Sequence, residues 1–336
     1  MIKRKLEVIY IFFMAILMVS CNSIDTSRGP VLPDIDGETH GFAVQTTHSP
    51  EPSVQPVGGS DALSSGMYAP TPEPVPTPPP FEMPGPGRAV IIFTFDDGPV
   101  SDYLLAYPIL KEYGIKGTSY IITKYIDEGL EIKLSWDQVK EMSEYGWVFG
   151  GHTYDHHHLT DLTDMEIQND CAAVSSAFCN QGLAAPDVMA YPYGAFSDRV
   201  IEEIRQVYRQ ARLADYHTDF VDPIHTDPCR IPSVSADMQS QNELKSVEQL
   251  VDQACVEGAV IVFRVHTLYK EHPYDTVARN THILSGCAPQ TDSGLFKELV
   301  KYCVDKSSTF MTMTELMNYM DGLQAHTLAS GTGDAG

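Results

Sequence analysis

AVIIFTFDDGPVSDY, residues Ala89–Tyr103, is the stretch that decides the fold. Val90–Phe93 and Phe95 are apolar and mostly β-branched or aromatic. They run straight into two adjacent carboxylates, Asp96 and Asp97, before Gly98 and Pro99 stop the pattern. A continuous apolar run closed by Gly-Pro predicts a strand buried on both faces of a parallel sheet, followed by a turn. In α/β folds ligands bind beyond the carboxyl ends of such strands, so Asp96 and Asp97 fall where chemistry is done. Neighbouring residues of a strand point to opposite faces, which lets one carboxylate bind a metal while the other stays free as a base. The same four residues would also make a plain turn, and this stretch by itself does not choose.

Outward from it, strand-like and helix-like segments alternate. Further strands are expected at Gly117–Ile122, Trp147–Gly150, Val188–Tyr191, Gln210–Ala214, Val260–Val265 and Thr309–Thr312. Helices fit between them. Ser135 caps Trp136–Tyr145, and Thr163 or Asp164 starts a helix through Phe178. Ser197 caps Asp198–Val207, Ser246 opens a helix to Glu257, and Ser293 precedes Leu295–Asp305. A helix over Thr314–Leu323 closes the domain. This alternation predicts an α/β fold with a largely parallel sheet: a distorted (β/α) barrel of about seven strands, smaller than the eight-stranded one. The folded domain is expected over 89–323. The Gly/Ala/Thr-rich residues 324–336 are expected to be a disordered tail.

Ahead of the domain, residues 22–88 hold most of the prolines and cannot bury a core; they read as an extended, disordered linker. Residues 1–21 read as a lipoprotein-type export signal. Lys3, Arg4 and Lys5 precede the apolar run Val8–Val19, which is too short to span a bilayer comfortably. The small-residue site before Cys21 is similar to a bacterial lipobox, with Met18 where Leu is usual. It implies a lipid anchor at Cys21 and a place on the outer face of a bacterial membrane, or plain secretion otherwise. The formal charge of −23 argues against nucleic acid as a partner and suits a neutral substrate such as a sugar chain. None of the remaining six cysteines sits in a C-x-x-C pair, so a structural zinc cluster is not expected.

Three more motifs follow predicted strands. In Gly151-His152-Thr153-Tyr154-Asp155-His156-His157-His158, a helical turn would set His152 and His156 on one side. Two His and a carboxylate, supplied by Asp97, make a common site for zinc or a similar divalent ion. His156 is preferred to His157 on that spacing; a solvated His-rich loop is the plainer reading. In Tyr191-Pro192-Tyr193-Gly194, a tight loop could aim the Tyr193 backbone N–H at an oxyanion. Val260–Val265 ends on His266, a candidate general acid.

Taken together, T-F-D-D-G-P, H-T-x-x-H, Y-P-Y-G and the strand-end Val-His resemble the polysaccharide deacetylases, the NodB-homology group of carbohydrate esterase family four. The likeness covers about Val90 to Leu323. It implies a metal-dependent hydrolase that removes acetyl groups from a carbohydrate polymer. Asp97, His152 and His156 would hold the metal, usually zinc. Asp96 would be the base, Tyr193 would offer its N–H to the oxyanion, and His266 would protonate the leaving amine. Most directly this means N-deacetylation of N-acetylglucosamine residues in cell-wall or extracellular glycan by a monomeric enzyme. Ester hydrolysis on acetylated xylan uses the same parts. A non-catalytic glycan-binding or metal-binding surface lipoprotein is the reading of another class. Two departures stand out. Many family members carry an Arg where Ala190 stands, pairing with the base; Arg230 is a possible replacement. The family's D-x-x-W motif is also not visible, leaving Asp215, Asp219 and Asp222 as candidates to orient His266.

Overall fold

The computed structural model describes residues 83, 85–214, 220–270 and 289–331, with side chains to Gln324. The export signal, nearly all of the linker, Asp215, Asp219 and Cys287 lie outside the described residues. Among the described residues no helix is long and apolar enough to cross a membrane.

The strands are β1 (Val90–Phe95), β2 (Thr118–Ile121), β3 (Val148–Gly151), β4 (Val188–Ala190), β5 (Gln210–Arg212), β6 (Val234–Ser235), β7 (Val260–Val265), β8 (Thr267–Tyr269), β9 (Gln290–Asp292) and β10 (Thr309–Phe310). β8 and β9 pair with each other; the rest form one parallel sheet in the order β5-β4-β3-β2-β1-β7-β6, with β10 beside the start of β1. A short strip joins the two ends of this sheet. Leu213 N–H donates to Ile231 O at 2.8 Å and Ile231 N–H to Ala211 O at 3.0 Å, while Val234 and Ser235 pair with Phe263 and Arg264 of β7. The result is the expected distorted (β/α) barrel.

The helices are α1 (Tyr107–Glu112), α2 (Thr123–Asp127), α3 (Trp136–Tyr145), α4 (Asp164–Asn180), α5 (Asp198–Ile204), α6 (Gln241–Glu257), α7 (Ser293–Asp305) and α8 (Met313–Gly331). α3 begins at a full capping box in which Ser135 and Gln138 satisfy each other's backbone N–H groups. α6 differs from expectation: its cap is Ser240, and Ser246 lies inside the helix, bonding back to Asn242 O at 3.0 Å. The chain after Leu323 also differs, since its backbone stays helical to Gly331 rather than ending in an irregular tail at 324. Gly322 alone does not stop a helix that good helix formers continue.

Strand parity sorts the core. Along β1, Val90 and Ile92 join Tyr120, Val188, Ala190, Val260 and Val262 inside the barrel, and Met313, Leu316, Met317 and Met320 of α8 pack on this group. Ile91, Phe93 and Phe95 face outward and meet Trp147, Phe296 and the helices. Every residue of β1 is therefore buried, Thr94 included, as its nearly continuous apolar run requires.

The barrel wall is tight at Gly150, where a Cβ would lie 2.6 Å from Tyr120 Cδ1 and 2.7 Å from Val188 O. Because one of these neighbours is backbone, Gly150→Ala is expected to cost about 1–3 kcal/mol by overpacking. Urea denaturation checks this; an unchanged midpoint would contradict it.

Candidate active site

Strand parity also sets the site. Following the inward positions to the end of β5 and one residue past the ends of β1, β3 and β7 gives Arg212, Asp96, His152 and His266, and all four gather at one mouth of the barrel. Asp96 is 3% exposed, and one of its oxygens, Oδ1, bonds Nη2 of the wholly buried Arg212. Arg212 also donates from Nη1 to Leu213 O at 3.0 Å and to Ser233 Oγ at 3.1 Å, which fixes its fork on the strip that closes the barrel. Burial alone would raise the Asp96 carboxyl. The Arg212 charge, followed by His152, His266 and Arg264, outweighs burial and holds it below the usual carboxylate range.

Asp97 would face outward by parity, like Phe95. It does not, because its backbone is left-handed, with φ 72°. Its Oδ1 lies 3.5 Å from His152 Nε2 and 3.3 Å from His156 Nε2. His152 is fixed by a 2.8 Å contact from Nδ1 to Ala190 O; with the proton on Nδ1, Nε2 keeps a lone pair for a ligand. His156 arrives by a different route from the one its spacing suggested. Residues 152–158 form no helical turn; a left-handed φ of 67° at His156 directs the ring inward. Burial pushes His156 down to about 4, with the nearby His152 adding to the fall, so its ring is neutral near pH 7. Asp170 braces the same loop by accepting Tyr154 N–H on both oxygens, at 3.0 and 3.1 Å. His157 turns away to Asp155, 2.7 Å from its Nδ1.

Asp97, His152 and His156 offer ligand atoms within 4.8 Å of one another. The 3.3 and 3.5 Å separations approach the edge of a tetrahedron whose ligand bonds are about 2.0–2.1 Å, so one carboxylate and two imidazoles fit a divalent cation. Asp155, His157 and Asp170 form a second group of the same reach, but its members are engaged in bracing the loop.

His266 stands across from Asp96, with Nε2 3.9 Å from Asp96 Oδ2. Its Nδ1 and its backbone N–H both meet Asp237, each at 2.9 Å. Ser235 Oγ also donates to Asp237, at 2.9 Å, and Thr291 Oγ1 at 3.3 Å. Burial would lower His266, but the Asp237 hydrogen bond and charge, aided by Asp96 and Asp97, raise it above the ordinary histidine range. Tyr193 sits beside His156 and His158 with a left-handed φ of 58°; the residue is 61% exposed and its ring lies flat on His158 at 3.9 Å.

Two expectations are corrected. Arg230 does not reach the base: it pairs at the surface with Asp198 at 2.5 Å and Asp227 at 3.5 Å, and Arg212 holds Asp96 instead. The partner of His266 is Asp237, while Asp222 bonds His225 at the surface. Arg212 carried a signal, since Gln210 and Arg212 are polar at alternate positions of a buried strand. Asp237 carried little, because the two-residue β6 before it is too short to recognise.

Fold and site together define a parallel barrel with a candidate divalent-metal centre at its strand ends, flanked by a buried carboxylate–Arg pair and an Asp–His pair. Residues 84–211 match the family model described as polysaccharide deacetylase. YxkH of Bacillus subtilis (strain 168), whose name assigns it provisionally to the polysaccharide deacetylases, is 34% identical over 117 residues, covering 35% of this chain and 41% of that one. A poly-β-1,6-N-acetyl-D-glucosamine N-deacetylase of Staphylococcus aureus (strain MRSA252) is 32% identical over 134 residues, covering 36% and 46%. The chain thus spans less than half the length of these relatives. The solved structure of Streptococcus pyogenes deacetylase PplD with acetate matches at 25% identity and a TM-score of 0.40, over 43% of this chain and 62% of that one. At that score the structural likeness decides nothing about chemistry.

Two predictions follow from the charge pairs. Removing the Asp237 carboxylate takes away what lifts His266, so in Asp237→Asn the imidazole should titrate at lower pH than in the parent. NMR titration of the metal-free protein reads this; an unmoved or higher titration point contradicts it. Arg212→Met leaves Asp96 buried without its partner and should destabilise the fold by roughly 3–5 kcal/mol. Arg230→Ala breaks only exposed pairs and should leave the denaturation midpoint nearly unchanged.

Proposed function

We propose that the chain is a metal-dependent N-deacetylase acting on N-acetylglucosamine residues of an extracellular glycan, with a poly-β-1,6-linked polymer as the first substrate to try. The observation that carries this reading is the placing of Asp97, His152 and His156 around one point, between the anionic Asp96 and the Asp237-held His266. The Staphylococcus aureus relative supports the choice of polymer. The net charge of −23 suits an uncharged sugar chain.

Asp97 Oδ1, His152 Nε2 and His156 Nε2 would hold the cation. A divalent ion held there, zinc first among the candidates, would acidify a water molecule and polarise the acetyl carbonyl. Asp96, kept ionised by Arg212, takes a proton from the attacking water through Oδ2, the oxygen that Arg212 leaves open. The Tyr193 backbone N–H supports the oxyanion as the tetrahedral carbon forms. His266 Nε2 gives its proton to the glucosamine nitrogen as the C–N bond breaks, and acetate leaves. Asp237 keeps Nδ1 protonated and the ring aimed through that step. The same reading places the protein on the outer face of a bacterial membrane, anchored through Cys21, as a monomer.

The test is acetate release from poly-β-1,6-N-acetylglucosamine, a chitooligosaccharide and acetylated xylan, using protein stripped with chelator and reloaded with zinc. Release from an amide substrate is expected only with metal, and Asp96→Asn should lower it about 10²- to 10⁴-fold. Release from xylan alone would make the protein an esterase. Stoichiometric zinc uptake without any acetate would leave a binding protein.

A further inference from the structure

The left-handed backbone at Asp97 needs an agent that holds it there. A non-glycine residue at φ 72° costs on the order of 1–3 kcal/mol and persists only where its surroundings over-determine it. The surroundings here are a strap just ahead of α3. Val100 N–H donates to Ile132 O at 2.9 Å, Leu134 N–H to Gly98 O at 3.0 Å, and Pro99 and Lys133 form an antiparallel bridge. From this strap the Lys133 side chain runs inward. It is only 8% exposed, its Nζ lies 5.6 Å from the centre of the Tyr125 ring, and it donates to the Asp97 carbonyl oxygen at 3.0 Å. Burying an ammonium is expensive unless it is paired and hydrogen-bonded. The carboxylates near enough to act on it are those of Asp97 and Asp102.

We infer that Lys133 is a positioning residue for the metal centre: its ammonium grips the Asp97 carbonyl, locks the left-handed turn, and so keeps the Asp97 carboxylate aimed at His152 and His156. The inference rests on the metal-site reading above, and it deepens that reading by naming what sets the ligand geometry. Lys133 touches no ligand atom; it acts through the backbone of Asp97.

The sign of the effect separates this role from a purely electrostatic one. A cation beside a metal centre repels the metal, so if charge were all that Lys133 contributed, removing it would tighten metal binding. A positioning role predicts the opposite, because losing an outer-shell partner typically weakens metal binding about 10- to 100-fold. The experiment is a zinc titration of the stripped full chain against a chromophoric chelator, for the parent, Lys133→Met, Lys133→Arg and His156→Ala. Lys133→Met is expected to bind zinc about 10- to 100-fold more weakly than the parent. Lys133→Arg, which keeps a cationic donor, should recover most of the loss. Equal or tighter binding by a folded Lys133→Met overturns the inference. If Lys133→Met does not fold, Lys133→Gln is read the same way, since its amide falls short of the carbonyl. His156→Ala guards the underlying reading: if it binds zinc as well as the parent, the metal centre itself is misplaced, and the inference falls with it.

Discussion

The period of two along β1 is the constraint on which the site depends. It sends Val90, Ile92, Thr94 and Asp96 into the barrel and Ile91, Phe93 and Phe95 out to the helices. Asp96 therefore enters the mouth as the next inward residue and meets Arg212, an inward residue of β5. Asp97 is delivered to the wrong face and must be turned back by a left-handed backbone. Two adjacent carboxylates thus reach one cavity by unlike routes, one by regular strand geometry and one by breaking it. That difference is what leaves one of them paired to a guanidinium and the other open beside two imidazoles.

Strain gathers where the strands end. Among the described residues, the non-glycine positions with positive φ are Asp97, Thr153, His156, Tyr193 and Ser307, and the first four line or flank the site. At Asp97 the turn redirects a group that the preceding strand would have misaimed. Rigid support pays for them: the Leu130–Leu134 strap holds Asp97, Asp170 holds the His156 loop, and Ala190 O holds His152. Buried charge is handled in the same spirit. Asp96 is answered by Arg212, Asp237 by His266, and Asp97 has Lys133 behind it. Burial pushes the Asp102 carboxyl well up, only partly offset by the Ser119 hydrogen bond and the Lys133 charge.

The sequence was most readable where local pattern and burial agree. β1 and β7 are buried throughout and apolar but for Thr94 and Arg264, and the pattern marks their bounds. α3 announced itself by Ser135 and Gln138. Asp96, Asp97, His152 and His266 were legible because each follows a strand. His156 was found on a helical spacing that the loop does not use. The misses share a cause: their signal lies between segments. Arg212 matters because closing the barrel brings β5 opposite β1. Asp237 matters because β6, only two residues long, lies against β7. Arg230 failed as a partner because the turn Pro228–Arg230 sits outside the closing strip and pairs its guanidinium with surface Asp198 and Asp227.

Neighbouring strands offer two places from which a guanidinium could reach Asp96. Ala190 and Arg212 are direct cross-strand partners in the β4–β5 ladder, both pointing inward. Exchanging which of the two carries the guanidinium moves its root by one strand spacing, about 4.8 Å, within the reach of an Arg side chain. A small residue at 190 then leaves room for Arg212 to lie over the Tyr120 ring, 5.1 Å from its centre, on the way to Asp96.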